Sequence, residues 1–401
     1  MRKEKNNHCR DCDLPQWNHF QTWSDEIIGR LIPDVALPRK VEKAFDYLIE
    51  RFFVLLGLVR VDEDFSISDI QLRTHCFIKE AKKRGVKFQA LKSKFGYTNY
   101  YRAVFENKVY RFEGLPSAIF TGRFSPQLVD DKEKTKEHLV QGNFPIAKGG
   151  CFWFWQKNRA VKHCEKHIGF PLIVKPRSGS VSRHVTTNIQ SSEQLLSAIK
   201  HAIVYSPAYI VEEFLPDTFV YRLTVVDFEN VFCVKQVPAN VVGDGTSTIA
   251  QLINKKNNDS CRSCEGDVAL QHKLVINEKT NELLAQQNCD FDSVPQQGNI
   301  VWLQKDSFLA LGGDLHEMTA LAHPDNILLA KEIARHFDIR LVGIDLLCED
   351  ITCSWKEQRG AVLELNNNPC IELHHFPSIG EPQNVASKLV DLFFKYYVDI
   401  N

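Results

Sequence analysis

Two lysines, a Ser/Gly-rich segment and a set of oxygen donors near the carboxyl end have the types and spacing for phosphate and metal chemistry. Lys132 stands at the head of a charged stretch, and Lys175 ends the apolar run Leu172-Ile173-Val174. A lysine held by a rigid element is a point charge suited to phosphate oxygens. Lys132 alone also reads as one more solvated position on a helix face. Lys175 is harder to set aside, because an unpaired charge at the end of a buried strand is expensive. It runs into Pro176-Arg177-Ser178-Gly179-Ser180-Val181-Ser182-Arg183. Small residues there let backbone N–H groups approach an anion, and the hydroxyls add donors. The segment lacks the Gly-Lys-Ser/Thr of a Walker loop, and a plain flexible connection is its alternative reading. Asp345 lies in Val342-Gly343-Ile344-Asp345-Leu346, while Glu364 and Asn366 are two apart in Leu363-Glu364-Leu365-Asn366 and share one strand face. Hard oxygen ligands on neighbouring strands suit Mg2+. The competing reading pairs these acids with basic residues at a strand end.

The elements that must position these groups can be read from periodicity and turn residues. A charged helix is predicted over 131–141, closed by Gly142, and a short buried strand over 172–176. Ser191 and Gln194 form a capping box before a helix over 193–203. Strands are expected over 209–211, 221–227 and 231–237, the last two joined as a hairpin through Phe228-Glu229-Asn230. A helix over 326–337, strands over 341–347 and 361–365, and a helix over 389–397 complete the last third. Toward the amino end, Ala44, Phe45, Leu48, Phe52 and Leu55 recur at helical spacing. A helix ending near Gly85 and one strand-like run over 104–112 follow, whereas residues 1–38 show no period.

The fold class is therefore α/β (α+β). The 401 residues divide into an irregular segment over 1–38, an α/β domain over 39–128 and a larger domain over 129–401, itself split at 215/216. Hydrophobic residues make up 44 % and charged residues 25 %, which excludes wholesale disorder. Lys+Arg 49 against Asp+Glu 50 gives a net charge of -1, so no nucleic-acid or membrane partner is expected. No signal peptide or spanning segment is evident, and a cytoplasmic location is expected.

Taken in order, these segments resemble the ATP-grasp ligases, most closely the ATP-grasp portion of cyanophycin synthetase and the bifunctional bacterial glutathione synthetases. The resemblance rests on Asp131-Lys132 with Thr135-Lys136, on Phe170-Pro171 through Pro176, on Ile210-Val211-Glu212-Glu213-Phe214-Leu215-Pro216, and on Tyr221-Arg222-Leu223. It continues through Val237 to Gly245, His323-Pro324-Asp325-Asn326, Gly343-Ile344-Asp345 and Glu364 to Pro369. The departures are Val181 and His184 where small residues are common, and Asp217-Thr218-Phe219-Val220 where relatives carry a Gly and a ribose-holding acid.

The resemblance implies an ATP-grasp fold behind an amino-terminal substrate-type domain. It also implies an ATP-dependent, ADP-forming carboxylate–amine ligase acting through an acyl phosphate on an amino acid, peptide or related acid. Lys132, Lys175, Ser178, Gly179, Ser180 and Ser182 would then hold phosphates, with the loop 177–184 as a mobile lid. Glu212, Glu213 and Leu215 would hold adenine. Asp345, Glu364 and Asn366 would bind Mg2+, two ions in all, and Arg222 with Asn366 would act in catalysis. Gly312, Gly313 and Asp314 fall where relatives contact substrate, and His374 reads as a substrate contact or a packing residue. The altered loop and the missing ribose acid suggest the alternative, a catalytically silent ATP-grasp protein that binds nucleotide or peptide as a regulator. Homo-oligomerisation is left open.

Twelve cysteines in a long chain without an export signal read mostly as reduced apolar residues. Cys9/Cys12 and Cys261/Cys264 have zinc-knuckle spacing and could together close one structural zinc site, with His8 or His19 as a substitute ligand. A redox pair and chance loop cysteines are the other readings.

Overall fold

The computed structural model describes residues 8–9, 12, 14–29, 39–116, 129, 131–179, 183–259, 262, 271–305, 307 and 309–398. Alternating apolar residues build a meander from β1 (Val59–Asp62), β2 (Lys87–Ser93), β3 (Gly96–Phe105) and β4 (Lys108–Glu113), paired in that order. The run expected as one strand over 104–112 is a hairpin instead. Glu106 (φ 46) and Asn107 (φ 63) are both left-handed and reverse the chain in a pair that lacks the usual turn glycine. The helix Leu72–Lys82 covers this sheet, and its fully buried Phe77 meets Phe88, Phe112 and Phe393 with ring centroids 5.9, 5.7 and 5.9 Å apart. Phe393 belongs to the helix Val385–Phe393, so the amino-terminal sheet shares its core with the carboxyl end of the chain. The periodic helix is present as Arg39–Leu55, but Leu48, Phe52 and Leu55 are exposed. Glu50 ties this helix to β3 and β4 through Arg102 and Arg111.

A second antiparallel sheet consists of β5 (Gly149–Trp153), β6 (Leu172–Pro176), β7 (Thr186–Ile189) and β8 (Ala208–Glu213), in the order β5-β8-β6-β7. Strand alternation buries Leu172 and Val174 against the helices Lys157–His167 and Ser192–Ala202, and turns Lys175 to the opposite face. Ser191 caps its helix by accepting from Gln194 N at 3.3 Å. The return bond of the expected capping box goes instead from Gln190 N to Gln194 Oε1, at 2.8 Å.

The third sheet contains β9 (Phe219–Val226) and β10 (Asn230–Val237). A ribbon of β11 (Asn240–Val242) and β12 (Ile300–Trp302) stands beside it, followed by β13 (Asp314–Glu317), β14 (Leu341–Cys348) and β15 (Gly360–Asn366). Its order is β13-β10-β9-β14-β15. The helix Pro324–His336 packs Leu329, Ile333 and Ala334 onto it, and Leu139 of the helix Lys132–Gln141 enters the same core. Every ladder among the described strands is antiparallel, which places the fold on the α+β side of the expected class.

The amino-terminal segment, expected to be irregular, contains the helix Gln16–Gly29. Its apolar residues Trp17, Phe20, Ile27 and Ile28 stay exposed, and docking through other side chains holds it. His19 is buried against Tyr205, Trp23 Nε1 donates to Ile203 O at 3.2 Å, and Glu26 Oε1 accepts from Ser206 Oγ at 2.5 Å.

Candidate active site

The helix Lys132–Gln141, β6, β8 and β15 enclose a cavity of ≈ 330 Å³ between the second and third sheets. That volume lies near the lower end for small-molecule sites. Val129, Leu139, Ile210, Val362 and Leu365 supply an apolar wall, while Lys132, Lys136, Lys175, Glu212, Glu364 and Asn366 supply the polar groups.

The helix begins at Lys132 because Asp131 caps it, accepting from Glu133 N and Lys134 N at 3.1 and 3.3 Å. Lys132 Nζ reaches across to donate to Gly179 O at 2.6 Å. Lys136, one turn further on the same face, lies 2.8 Å from Glu212, whose other oxygen is 2.7 Å from Lys175. Burial pushes the Glu212 carboxyl up, but the charges of Lys175 and Lys136 outweigh it, so the net shift is downward. The strand-end lysine therefore has a partner, and the cost of burying it is met by Glu212. Lys136 was visible in sequence only as part of the segment Thr135-Lys136. Its spacing of four from Lys132 is the signal that could have placed it in the site.

Across the cavity, strand register does the positioning. Asp345 of β14 lies opposite Arg222 of β9 on one side and Glu364 of β15 on the other. A bulge after the Asp345/Glu364 pair bends β15 where Glu364 and Asn366 face the cavity. Arg222 grips Asp345 bidentately, Nε to Oδ1 at 2.5 Å and a terminal nitrogen to Oδ2 at 2.8 Å, and both side chains are buried. Asn366 Nδ2 donates to Glu364 Oε1 at 3.4 Å. Burial pushes Asp345 up to about 6 against the pull of Arg222, with Glu364 adding to the rise. Burial also raises Glu364, but Lys132, a hydrogen bond with Asp345, and Arg222 bring it below its ordinary value. Buried Asp345, raised beside an ionised Glu364 and gripped by Arg222 on its other side, thus favours an added cation. The bidentate arginine occupies about two of the four or so lone-pair positions of Asp345. The remaining oxygen positions, with Glu364 and the Asn366 amide oxygen, form a hard donor set that fits Mg2+.

Of the loop after β6, Arg177 binds Asp131 and Glu133 at 2.5 and 3.3 Å, and Ser178 N donates to Glu26 Oε1 at 3.2 Å. Gly179 has φ +122, and a Cβ there would meet the Tyr205 ring at 2.7 Å, so glycine is required. Ser180 and Ser182 lie outside the described residues, as do Cys261 and Cys264. Glu213 and Leu215 do not line the cavity. Glu213 Oε1 accepts from Lys148 N at 2.7 Å, and Leu215 O accepts from Thr218 at 2.7 Å. Asp314 is held by Lys256, Arg262 and Asn240, and Gly312, with φ +93, packs on Leu274. His374 is fully buried, with Nε2 2.8 Å from Thr224 Oγ1, which is the packing role of the two considered for it.

No protein-family model matches the chain. It is 32 % identical over 329 residues to the cyanophycin synthetase of Trichormus variabilis, covering 80 % of this chain and 35 % of that protein. Against the glutathione biosynthesis bifunctional protein GshAB of Clostridium perfringens it is 27 % identical over 328 residues, 81 % of this chain and 41 % of the relative. The chain thus spans well under half the length of either. A bifunctional glutathione synthetase from Pasteurella multocida superposes with a TM-score of 0.63 at 23 % identity, covering 82 % of this chain and 44 % of that one. Among the described residues no helix is long and apolar enough to cross a membrane. The chain has the ATP-grasp fold, and by sequence it is similar to part of the cyanophycin synthetases and GshAB proteins.

Proposed function

We propose that the chain is an ATP-dependent, ADP-forming carboxylate–amine ligase that joins an amino acid, peptide or related acid to an amine. The observation that carries this reading is the meeting, in one cavity, of Lys132, Lys136 and Lys175 with Glu364 and Asn366, the buried Arg222–Asp345 pair adjoining Glu364 through the register of β9, β14 and β15. Relatives named as synthetases of cyanophycin and of glutathione support it.

In this reading Lys132 and Lys175 hold the phosphates, helped by the backbone at Ser178 and Gly179, and Lys136 keeps Glu212 ionised beside them. The apolar wall takes the adenine, with Glu212 lining its edge. Asp345, Glu364 and Asn366 hold Mg2+, which when bound neutralises charge on the β- and γ-phosphates. A substrate carboxylate oxygen attacks the γ-phosphorus and ADP leaves. The amine nitrogen then attacks the acyl carbon, the C–O bond to phosphate breaks, and the amine loses a proton. Arg222, fixed by Asp345, stabilises the charge that develops on the acyl oxygen.

The test is incubation with ATP, Mg2+ and pooled amino acids and short peptides, following ADP and phosphate and searching for condensed masses. An Asp345→Ala/Glu364→Ala variant is the blank. Pool-dependent ADP release with a product one water lighter than its parents supports the ligase. Tight ATP binding without turnover favours the silent regulator, and no ATP binding removes the nucleotide site.

A further inference from the structure

The first cysteine pair has no part in the ligase chemistry, and of its neighbours His19 was one of the expected substitute ligands whereas His184 was not. Cys9 Sγ lies 3.5 Å from His184 Nε2, and Cys12 Sγ lies 3.2 Å from His19 Nε2. One ligand atom from each of these four residues lies within 4.8 Å of every other. Tetrahedral zinc, with Zn–S of about 2.3 Å and Zn–N of about 2.0 Å, holds such atoms about 3.3–3.8 Å apart. Both imidazoles are buried. Cys9 N donates to Leu14 O at 2.7 Å, and His8 bridges to Pro15, so the turn that carries both thiols is closed on itself.

His184 carries a second, independent sign. Its Nδ1 is 3.0 Å from His201 O, a carbonyl that accepts only an N–H, which leaves the lone pair of Nε2 facing the thiols. That is the usual outer arrangement of a metal-bound histidine. The residue also has φ 54, a left-handed conformation that a histidine adopts at a cost and that its surroundings must hold.

We propose that Cys9, Cys12, His19 and His184 bind one structural zinc ion, the cysteines as thiolates and the histidines neutral through Nε2. Two thiolates balance the charge of Zn2+, as a buried site requires. The partners of Cys9 and Cys12 are thus two histidines, in place of the Cys261/Cys264 pair considered from spacing. Arg262, which sits inside that second pair, is buried against Asp314. Zinc so placed fastens the amino-terminal segment to His184, just beyond the loop after β6, while Glu26 of the same segment holds Ser178 at the start of that loop. The site stands independently of the ligase reading.

Metal analysis of the full-length protein purified without chelator should find about one zinc per chain. Cobalt replacement should give the intense visible absorption of a tetrahedral thiolate–imidazole site. Cys12→Ser and His184→Gln should lose the zinc, and Cys261→Ser/Cys264→Ser should keep it. Because a knuckle variant can fail through misfolding, the wild-type zinc content and cobalt spectrum are read first. Chelation of the wild-type protein should raise hydrogen exchange in the helix Gln16–Gly29 at least tenfold. A wild-type chain without zinc, an octahedral cobalt spectrum, or zinc lost from the Cys261→Ser/Cys264→Ser variant overturns the proposal. Unchanged exchange after chelation overturns the fastening role. None of these readouts involves ATP.

Discussion

Replacing Arg222 with methionine removes the group that grips both oxygens of Asp345. Even with Arg222 present, burial holds this carboxyl up at about 6, against an ordinary 3.8. Without it the carboxyl is pushed higher still and takes a proton at neutral pH, at a further cost to folding. Two charge-assisted hydrogen bonds are lost as well, each contributing about 1.5–3 kcal/mol, partly offset because the guanidinium need no longer be desolvated. The net is a destabilisation of about 3–5 kcal/mol, as expected when one partner of a buried pair is deleted. Removing both partners, as Arg222→Met/Asp345→Leu, should return stability to within about 1–2 kcal/mol of wild type. Urea unfolding followed by tryptophan fluorescence measures both variants. The function separates from the fold in a second readout. Saturating Mg2+ and ATP at about 100-fold the Kd should stabilise the wild type by about 2.7 kcal/mol and neither variant. A single variant that loses less than about 1 kcal/mol refutes the buried-pair reasoning. A double variant that keeps the full nucleotide-dependent stabilisation removes Asp345 from the metal set.

Lys175→Met should weaken ATP binding at least about tenfold by calorimetry, and an unchanged Kd would sink the phosphate assignment. His375 is mostly buried, which lowers it to about 4, and its Nε2 accepts from Ala386 N at 3.2 Å in the first turn of the helix Val385–Phe393. The unfolded residue takes a proton near 6.5 that the folded one refuses until about 4. Its contribution is therefore complete above 6.5 and lost as pH falls through that window, by up to about 3 kcal/mol. His375→Gln should flatten the acid limb of the stability–pH curve, and an unchanged slope speaks against it. Glu106→Asn/Asn107→Gly places the favoured residues at two left-handed positions and should raise the urea midpoint by the equivalent of about 1 kcal/mol. No gain there would mean that the turn is unstrained.

What could be read in the chain was local. The helix at Lys132 announces itself by Asp131 and Gly142, and β6 by the run Leu172 to Val174. The ordered motifs then placed Asp345, Glu364 and Asn366 on adjacent strands, which the register bears out. What could not be read depends on pairing at a distance. Cys9 and His184 are 175 positions apart, and no spacing rule links them. Arg222 and Asp345 meet only because β9 and β14 pair in one register. The helix Gln16–Gly29 was missed although Trp17, Phe20, Trp23 and Ile27 recur at helical spacing, and its docking through Trp23 and Glu26 to groups 150 or more positions away could not be read at all. The stripe of Leu48, Phe52 and Leu55 misleads in the opposite direction, since it gives the right helix but not a buried face.

The cavity sets three lysines beside the carboxylates of Glu212 and Glu364, and this mixture makes a demand on its ligand. Lys136 and Lys175 clamp Glu212, while Lys132 and Lys175 draw down Glu364, whose strand neighbour Asp345 is gripped by the buried Arg222. Bare ATP satisfies the lysines but sets phosphate oxygens against the half-buried carboxylate of Glu364, with Asp345 behind it, and like charges at that range repel. A phosphate chain carrying Mg2+ has the complementary polarity, anionic toward the lysines and cationic toward the acids. ATP in chelator should therefore bind at least about tenfold more weakly than ATP with Mg2+, about 1.4 kcal/mol, by calorimetry. The same cause predicts the sign of a variant. Glu364→Gln removes part of the repulsion and a metal ligand together, so affinity in chelator should rise while affinity with Mg2+ falls, and the gap should narrow from both sides. Equal affinity with and without Mg2+ in the wild type, or a gap untouched in the variant, would mean that Glu364 does not face the phosphates.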